Sequence, residues 1–392
     1  MGVVVQKYGG SSVADIEKIQ SVAKRIVETR NQGLGVVSVV SAMGNTTNDL
    51  LALAGKITAD PPGRELDMLV TVGERITMAL LAMAIHQLGH DSVSFTGSQS
   101  GILTTASHSG ARVVEVRPYR IQDELEKGKI VIVAGYQGVS YQREITTLGR
   151  GGSDTTAIAL AAALGADYCE ICSDVNGIMT SDPRVVTDAK TIDALSHDEM
   201  LEMSLAGARV LNADAVEYAR RHGIAIYAQS TFGGPEMKGT MVRVDLDPAR
   251  SAVTSVVGRE DVVGLSCDPS KVDALLQHIK SQGVPHPVEL TREKDAARLL
   301  FTLENAKDPE RMIDSLRSLP GVEQFDDALG MVTLIGPGIF PGSPILEELR
   351  NACPALQDQP EAVSPGKCKW LVPRNLVSSA VCTLHKSAFP PS

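Results

Sequence analysis

Five short segments gather glycines, hydroxyls and isolated charges where apolar runs end. Residues 7–12 read K-Y-G-G-S-S. Glycines let the main chain approach a ligand closely. The N–H groups at the start of the following helix, with the positive end of its dipole, suit phosphate. Lys7 adds a full charge on a flexible stem. The same residues also read as a glycine turn with Ser11 or Ser12 as a helix cap. The pattern is neither a Walker loop nor G-x-G-x-x-G, so the common nucleotide folds are not indicated.

Residues 41–48, S-A-M-G-N-T-T-N, place small hydroxyls and amides on a strand-to-helix turn, fit for a carboxylate, a phosphate or a helix cap. Residues 71–76, T-V-G-E-R-I, set Glu74 in an otherwise apolar helix. A buried carboxylate needs a partner; a substrate ammonium would serve, and so would Arg75 or Arg64. Residues 146–156, T-T-L-G-R-G-G-S-D-T-T, are the most informative. Arg150 among glycines can grip a carboxylate with two parallel hydrogen bonds. Asp154, near a helix start, can orient a lysine or a metal; Ser153 or Asp154 can also be plain caps. Residues 172–184, C-S-D-V-N-G-I-M-T-S-D-P-R, end a strand on an acid and turn through N-G to Arg184, groups suited to a ribose, a base or a phosphate.

The elements that must carry these segments alternate. The β-branched run at 3–5, the strand after Gly35, the run at 130–134, and those at 168–172 and 224–228 read as strands. Helical spacing links Val13, Ile16, Ile19, Val22, Ala23, Ile26 and Val27, and helices are expected over 66–88, 155–164 and 211–222. Such alternation predicts an α/β fold with a mainly parallel sheet covered by helices on both faces. The texture changes near 245–248. Strands at 262–267, 298–303 and 331–335 with helices at 271–282 and 309–319 form one small β-α-β-β-α-β cycle. A shorter one follows, with helices at 344–352 and 375–387 and a strand at 368–372. The expected plan is a catalytic domain, 1–245, then modules at 252–336 and 337–392.

With 392 residues, several domains are expected. Aromatics make up 4%, so the core must come from Val, Leu, Ile, Ala and Met. A net charge of -10 without a basic stripe argues against nucleic acid, and anionic substrates would have to be met by a few chosen cations. Cys169 and Cys172, the sole closely spaced pair among six cysteines, read as reduced thiols of a cytoplasmic protein in preference to a metal or redox pair. The N-terminus shows no signal-peptide pattern, and no apolar run reads as long enough to span a membrane.

Taken together and in order, the five segments resemble the amino-acid kinase superfamily and, within it, the aspartate kinase family: residues 7–12 resemble its opening K-F-G-G-T-S, and the blocks at 71–76, 148–154 and 173–184 match closely. Beyond residue 245 the chain is loosely similar to that family's tandem ACT modules, which are ferredoxin-like α+β units. The resemblance implies ATP-dependent phosphorylation of the L-aspartate side-chain carboxylate to 4-phospho-L-aspartate, the first step of the aspartate-family amino-acid pathway or of a branch of it. It implies Lys7 and Asp154 as catalytic residues and Gly9, Gly10 and Ser12 on the phosphates. It places Ser41, Thr47, Glu74, Arg150, Gly151, Gly152 and Ser153 on aspartate, and Ser173, Asp174, Met179 and Arg184 at the nucleotide. It further implies Mg²⁺ held mainly by the ATP phosphates, and a homodimer or higher oligomer through the ACT-like modules. A glutamate 5-kinase-like enzyme and a regulatory paralogue without turnover are the alternatives.

The chain departs from the family pattern at Asn212-Ala213-Asp214, where H-P-R-like residues are common, and at Gln229, where Arg is common. Neither change is expected to touch the phosphate or aspartate groups. The first module's turn, C-D-P-S-K-V, lacks the glycine typical of an effector-binding ACT turn, so feedback control is expected to be weakened or absent.

Overall fold

The computed structural model describes residues 2–233, 237–244, 246, 250–281, 289–292, 296–303, 308–318, 321–357, 359 and 361–390. The chain forms two units. The first takes Met1–Ile178, Thr191–Ser204 and Arg209–Pro248; the second takes Met179–Lys190, Leu205–Ala208 and Ala249–Ser392. The expected change of texture at 245–248 falls, residue 246 apart, outside the described residues.

In the first unit the strands are β1 (Val3–Tyr8), β2 (Gly35–Val40), β3 (Ser92–Phe95), β4 (Ile102–Thr104), β5 (Val113–Val116), β6 (Ile130–Ala134), β7 (Gln137–Ser140), β8 (Ile145–Thr147), β9 (Tyr168–Ser173), β10 (Ala194–Leu195), β11 (Ala225–Ser230) and β12 (Thr240–Val242). The helices are α1 (Ile16–Asn31), α2 (Thr46–Gly55), α3 (Gly63–Val70), α4 (Val72–Gln87), α5 (Tyr119–Glu126), α6 (Gly152–Leu164), α7 (His197–Ala206, whose end passes into the second unit) and α8 (Ala213–His222). Eight strands form one sheet in the order β10-β12-β11-β9-β1-β2-β6-β3. Every neighbouring pair in it is parallel except β11 with β12. A second sheet, β5-β4-β7-β8, lies beside it in sequence terms between α4 and α6.

The central strands are buried end to end because helices cover both faces. Strand residues alternate in direction. Val4, Tyr8, Val36, Val40, Ile130 and Ile132 therefore share one core with Ile19, Val22 and Ile26 of α1 and Leu81 and Ile85 of α4. The other face is covered by α6, which packs on β1, β2 and β9.

The helix expected over 66–88 is two helices, broken at Thr71, whose carbonyl accepts from the Gln137 side chain at 3.1 Å. The stretch Gly63–Gln87 is long and apolar enough to cross a membrane by length and composition, contrary to the expectation of no such run. Here its apolar character serves the sheet core, through Leu81 and Ile85.

The second unit is one antiparallel sheet, in the order β14 (Glu289–Arg292), β15 (Ala297–Thr302), β13 (Ser255–Cys267), β16 (Val322–Ile335), β18 (Lys367–Pro373), β17 (Glu361–Ser364). Its helices are α9 (Val272–Ser281), α10 (Pro309–Arg317), α11 (Pro344–Ala352) and α12 (Val377–Ala388). The expected helix ends at 282 and 319 lie outside the described residues. Two cores divide the sheet. Leu265, Leu299 and Phe301 pack with α9 and α10; Val256, Val332, Leu334 and Trp370 pack with α11 and α12. The long strands β13 and β16 are shared: the start of β13 pairs with the end of β16, in the part that belongs with α11 and α12. The two cycles are thus interleaved, through pairs such as Ser255 with Ile335 and Cys267 with Val322 that no local pattern reveals.

Candidate active site

Along β1, Gln6 and Tyr8 point toward α1, where the Gln6 amide donates to Thr29 at 3.1 Å. Lys7 therefore points to the α6 face. There its Nζ meets Asp154 Oδ1 at 2.7 Å, with 13% and 11% of the two side chains exposed. Asp154 stands in the first turn of α6, whose N-cap is Gly151 at φ +68. Neither Ser153 nor Asp154 caps the helix, because the glycine main chain does so: Asp154 N–H donates to the Gly151 carbonyl at 3.0 Å. Arg150 lies directly before this cap. It is exposed, and no acid among the described residues pairs with it. Asp154, which holds Lys7, and Arg150 thus both belong to the N-terminal end of α6.

The first glycine loop folds against the second segment. A Cβ on Gly10 would sit 2.9 Å from the Ala42 carbonyl, so this crossing requires glycine. Gly44 N–H donates to the Gly10 carbonyl at 3.1 Å, and Ser41 N–H to the Tyr8 carbonyl at 3.1 Å. Residues 10–13 form a 3-10 turn, and α1 begins later, capped by Asp15, so neither Ser11 nor Ser12 is the cap. The Ser12 hydroxyl is buried against that of Thr231 at 2.6 Å. Gly9 and Gly10 remain as the open part of the loop, half-buried.

Gly73 brings α4 onto the same turn; a Cβ there would lie 2.7 Å from the Ala42 Cβ. Glu74, 3% exposed, accepts from Ala42 N–H at 3.2 Å through Oε1. Its Oε2 is buried without a partner among the described residues. Burial pushes the carboxyl up to about 7, against the smaller opposing pull of main-chain N–H groups. Among the described residues no arginine is bonded to it, and Arg64 is engaged with Glu65 and Glu144. Tyr136 stands nearby in the left-handed region at φ +68, an uncommon place for a bulky residue. Its N–H donates to Thr156, and its carbonyl accepts from Leu148 N–H. Burial raises the phenol's pKa, and the ring hydroxyl shares a hydrogen bond with Thr147. Among the described residues the hydroxyls of Ser41 and Thr47 have no protein partner.

The fifth segment divides. Ser173 ends β9 and Asp174 follows it, exposed, in the first unit. Met179 and Arg184 fall in the second unit, where the exposed Arg184 guanidinium bonds Asp182 at 2.6 and 3.0 Å. Cys169 and Cys172 are both free and buried on β9, and desolvation pushes the Cys172 thiol up to about 12.

Of the two family departures, Asn212 touches the site, against expectation. Asn212 caps α8 and packs on Gly151 so closely that a Cβ on that glycine would lie 2.2 Å from the Asn212 Cβ. Gln229 lies inside β11 and hydrogen-bonds Glu170, which also holds Gln6 at 2.7 Å on the strand that carries Lys7. Sequence reading also passed over Tyr136 and Asp67. Asp67, one of two acids on an amphipathic helix, gave no sign of burial, and the loop tyrosine gave no sign of a positive φ.

The amino acid kinase family model matches residues 2–228. The aspartokinase of Mycobacterium tuberculosis is 46% identical over 364 residues, 86% of this chain and 84% of that one. That of Corynebacterium glutamicum is 40% identical over 406 aligned residues, 98% and 96% of the two chains. Among solved structures, Escherichia coli aspartokinase III in complex with aspartate and ADP (R-state) superposes with a TM-score of 0.83 at 23% identity, covering 99% of this chain and 100% of that one, a likeness of fold. The chain belongs to the aspartokinase branch of the amino acid kinase family.

Proposed function

We propose that this chain transfers the γ-phosphoryl group of ATP to the side-chain carboxylate of L-aspartate, giving 4-phospho-L-aspartate and ADP. The observation that carries the reading is Glu74, a buried carboxylate with one oxygen unpartnered among the described residues, together with an exposed Arg150 that pairs with no acid among them. An α-amino acid supplies both missing partners: an ammonium for Glu74 and a carboxylate for Arg150. Ser41, Thr47 and the main chain of Gly151, Gly152 and Ser153 complete that subsite.

The chemistry asks little proton transfer. A carboxylate with an ordinary pKa near 3.9 is ionised at neutral pH, so no general base is required. One of its oxygens bonds to the γ-phosphorus, the bond to the β,γ-bridging oxygen breaks, and ADP leaves with that electron pair. Catalysis then rests on alignment and on cancelling charge. Lys7, fixed by Asp154, stabilises the transferring group, and Gly9 and Gly10 let main-chain N–H groups reach the phosphates. Ser12 acts through the loop, since its hydroxyl is held by Thr231. Within the first unit, Ser173 and Asp174 are assigned to the nucleotide. Mg²⁺ is assigned to the triphosphate and water: the described residues hold no group of three or more His, Cys, Asp or Glu able to cage it.

The second unit is assigned as two ACT-like modules and as the assembly surface of a homodimer or higher homo-oligomer, with β14 and β17 at the two ends of its strand order. A cytoplasmic location is supported by six free thiols. The absent glycine in the turn at 267–272 supports weak feedback control, and strong inhibition by lysine or threonine would refute that point.

The test is ATP consumption over a panel of acidic amino acids, with hydroxylamine trapping the acyl phosphate. Aspartyl hydroxamate is expected. Product from glutamate alone would favour a glutamate 5-kinase-like enzyme, and no product from any acid would favour a regulatory paralogue.

A further inference from the structure

Asp67 is the most completely buried acid of the first unit, 0% exposed on α3. It is not an isolated charge. Oδ1 accepts from the Thr147 hydroxyl at 2.6 Å, and Oδ2 from the Thr147 N–H at 3.2 Å. The Ser109 N–H donates to both oxygens, at 3.1 and 3.2 Å, and its hydroxyl approaches Oδ1 at 3.5 Å. His108 Nδ1 lies 2.9 Å from Oδ2, with a quarter of that side chain exposed.

The donors come from two segments far apart in sequence, and both border the arginine loop. Thr147 is the last residue of β8, three before Arg150. Ala111 N–H donates to the Thr147 carbonyl at 2.8 Å, and a Cβ on Gly149 would sit 3.8 Å from the Gly110 Cα. Ser109 holds φ +60, a left-handed conformation that a serine keeps only under outside constraint; the Asp67 oxygens on its N–H supply that constraint. Thr147 gives its one hydroxyl hydrogen to Asp67.

We propose that Asp67 is a positioning residue for the amino-acid subsite: it clamps Thr147 to the 108–111 turn and so sets where Arg150 stands. The inference rests on the function proposed above. A carboxylate buried merely for stability would, on removal, lower the amount of active enzyme and leave the Michaelis constants unchanged. A clamp acts on one substrate, since a displacement of about 1 Å in a positioning group is enough to weaken substrate alignment.

The experiment measures aspartate and ATP saturation, by hydroxamate formation, for the full-length wild type, Asp67→Asn, Thr147→Val and the double variant. Asp67→Asn is expected to raise KM for aspartate about tenfold while KM for ATP stays within twofold, and the double variant should be no worse than Thr147→Val by more than twofold. Unchanged KM for aspartate, a fall in kcat alone, or effects that multiply in the double variant would overturn the proposal. If Asp67→Asn does not fold, His108→Ala, which removes the donor on the solvent side, should show the same pattern at about threefold, and an unchanged KM there counts against the clamp. Wild type that makes no aspartyl hydroxamate overturns both this inference and the reading beneath it; active wild type with unaltered Asp67→Asn kinetics overturns this one alone.

Discussion

The two ends of the candidate site are built on opposite plans. At the phosphate end the polar groups are already paired: the charges of Lys7 and Asp154 at 2.7 Å, and the hydroxyls of Ser12 and Thr231 at 2.6 Å. At the amino-acid end they are left open: Glu74 lacks a partner for one buried oxygen, and Arg150 pairs with no acid among the described residues. A lysine that serves a transition state must be held in place before the reaction, because its worth lies in costing no reorganisation when charge develops. Groups that select a substrate gain by being unsatisfied without it, since the correct ligand then relieves a standing penalty. For Glu74 that penalty follows from its pKa, raised from 4.5 to about 7, which corresponds to about 3 kcal/mol against ionisation.

The contrast has consequences of descending size. Lys7→Ala should lower kcat about 10³-fold with the fold intact, judged by an unchanged circular dichroism spectrum; near-normal turnover would remove Lys7 from the chemistry. Arg150→Ala should lower kcat/KM for aspartate about 100-fold and leave KM for ATP nearly unchanged, as expected for loss of a paired charge. A parallel rise in both Michaelis constants would place Arg150 between the substrates. Glu74→Gln should raise KM for aspartate about tenfold.

Glu74 also predicts a pH dependence. In the free enzyme it takes up a proton below about 7, and a neutral carboxyl no longer pairs with an ammonium. kcat/KM for aspartate should therefore fall as pH drops below about 7, and Glu74→Gln should abolish that limb. Stability runs the other way. The folded state binds more protons than the unfolded chain between pH 4.5 and about 7, so the apoenzyme loses stability as pH rises through that window. Thermal unfolding of wild type and Glu74→Gln across those pH values measures the difference directly. The smallest effect is expected at Thr231→Ala, about twofold in KM for ATP, because the Ser12 contact acts on the phosphate loop indirectly.

The strands and helices with strong periodicity were legible from residues alone. The strand at 130–134 and the helix at 344–352 have the expected bounds. The small sheet β5-β4-β7-β8 was not seen, since its strands are three or four residues long and their polar residues break any alternation. The helix at 155–164 starts earlier, at Gly152, because the glycines at 149 and 151, both with positive φ, close the cap from the main chain. The expectation that Asn212 stands apart from the site failed for a different reason: it is brought in from an element far along the chain, against Gly151.

The sequence by itself determined which groups this protein has to work with: one lysine at a strand end, one arginine among glycines, one acid in an apolar helix, and an alternation of elements that implies a parallel sheet. Only the tertiary structure decided which of these are satisfied. Whether a charge is paired depends on which faces of which strands and helices meet, and period-two and period-3.6 patterns give a residue's direction on its own element but not its neighbour on the next. That is why Glu74, which reads on paper as one partner of a nearby arginine, is in the fold a buried acid with an oxygen left over.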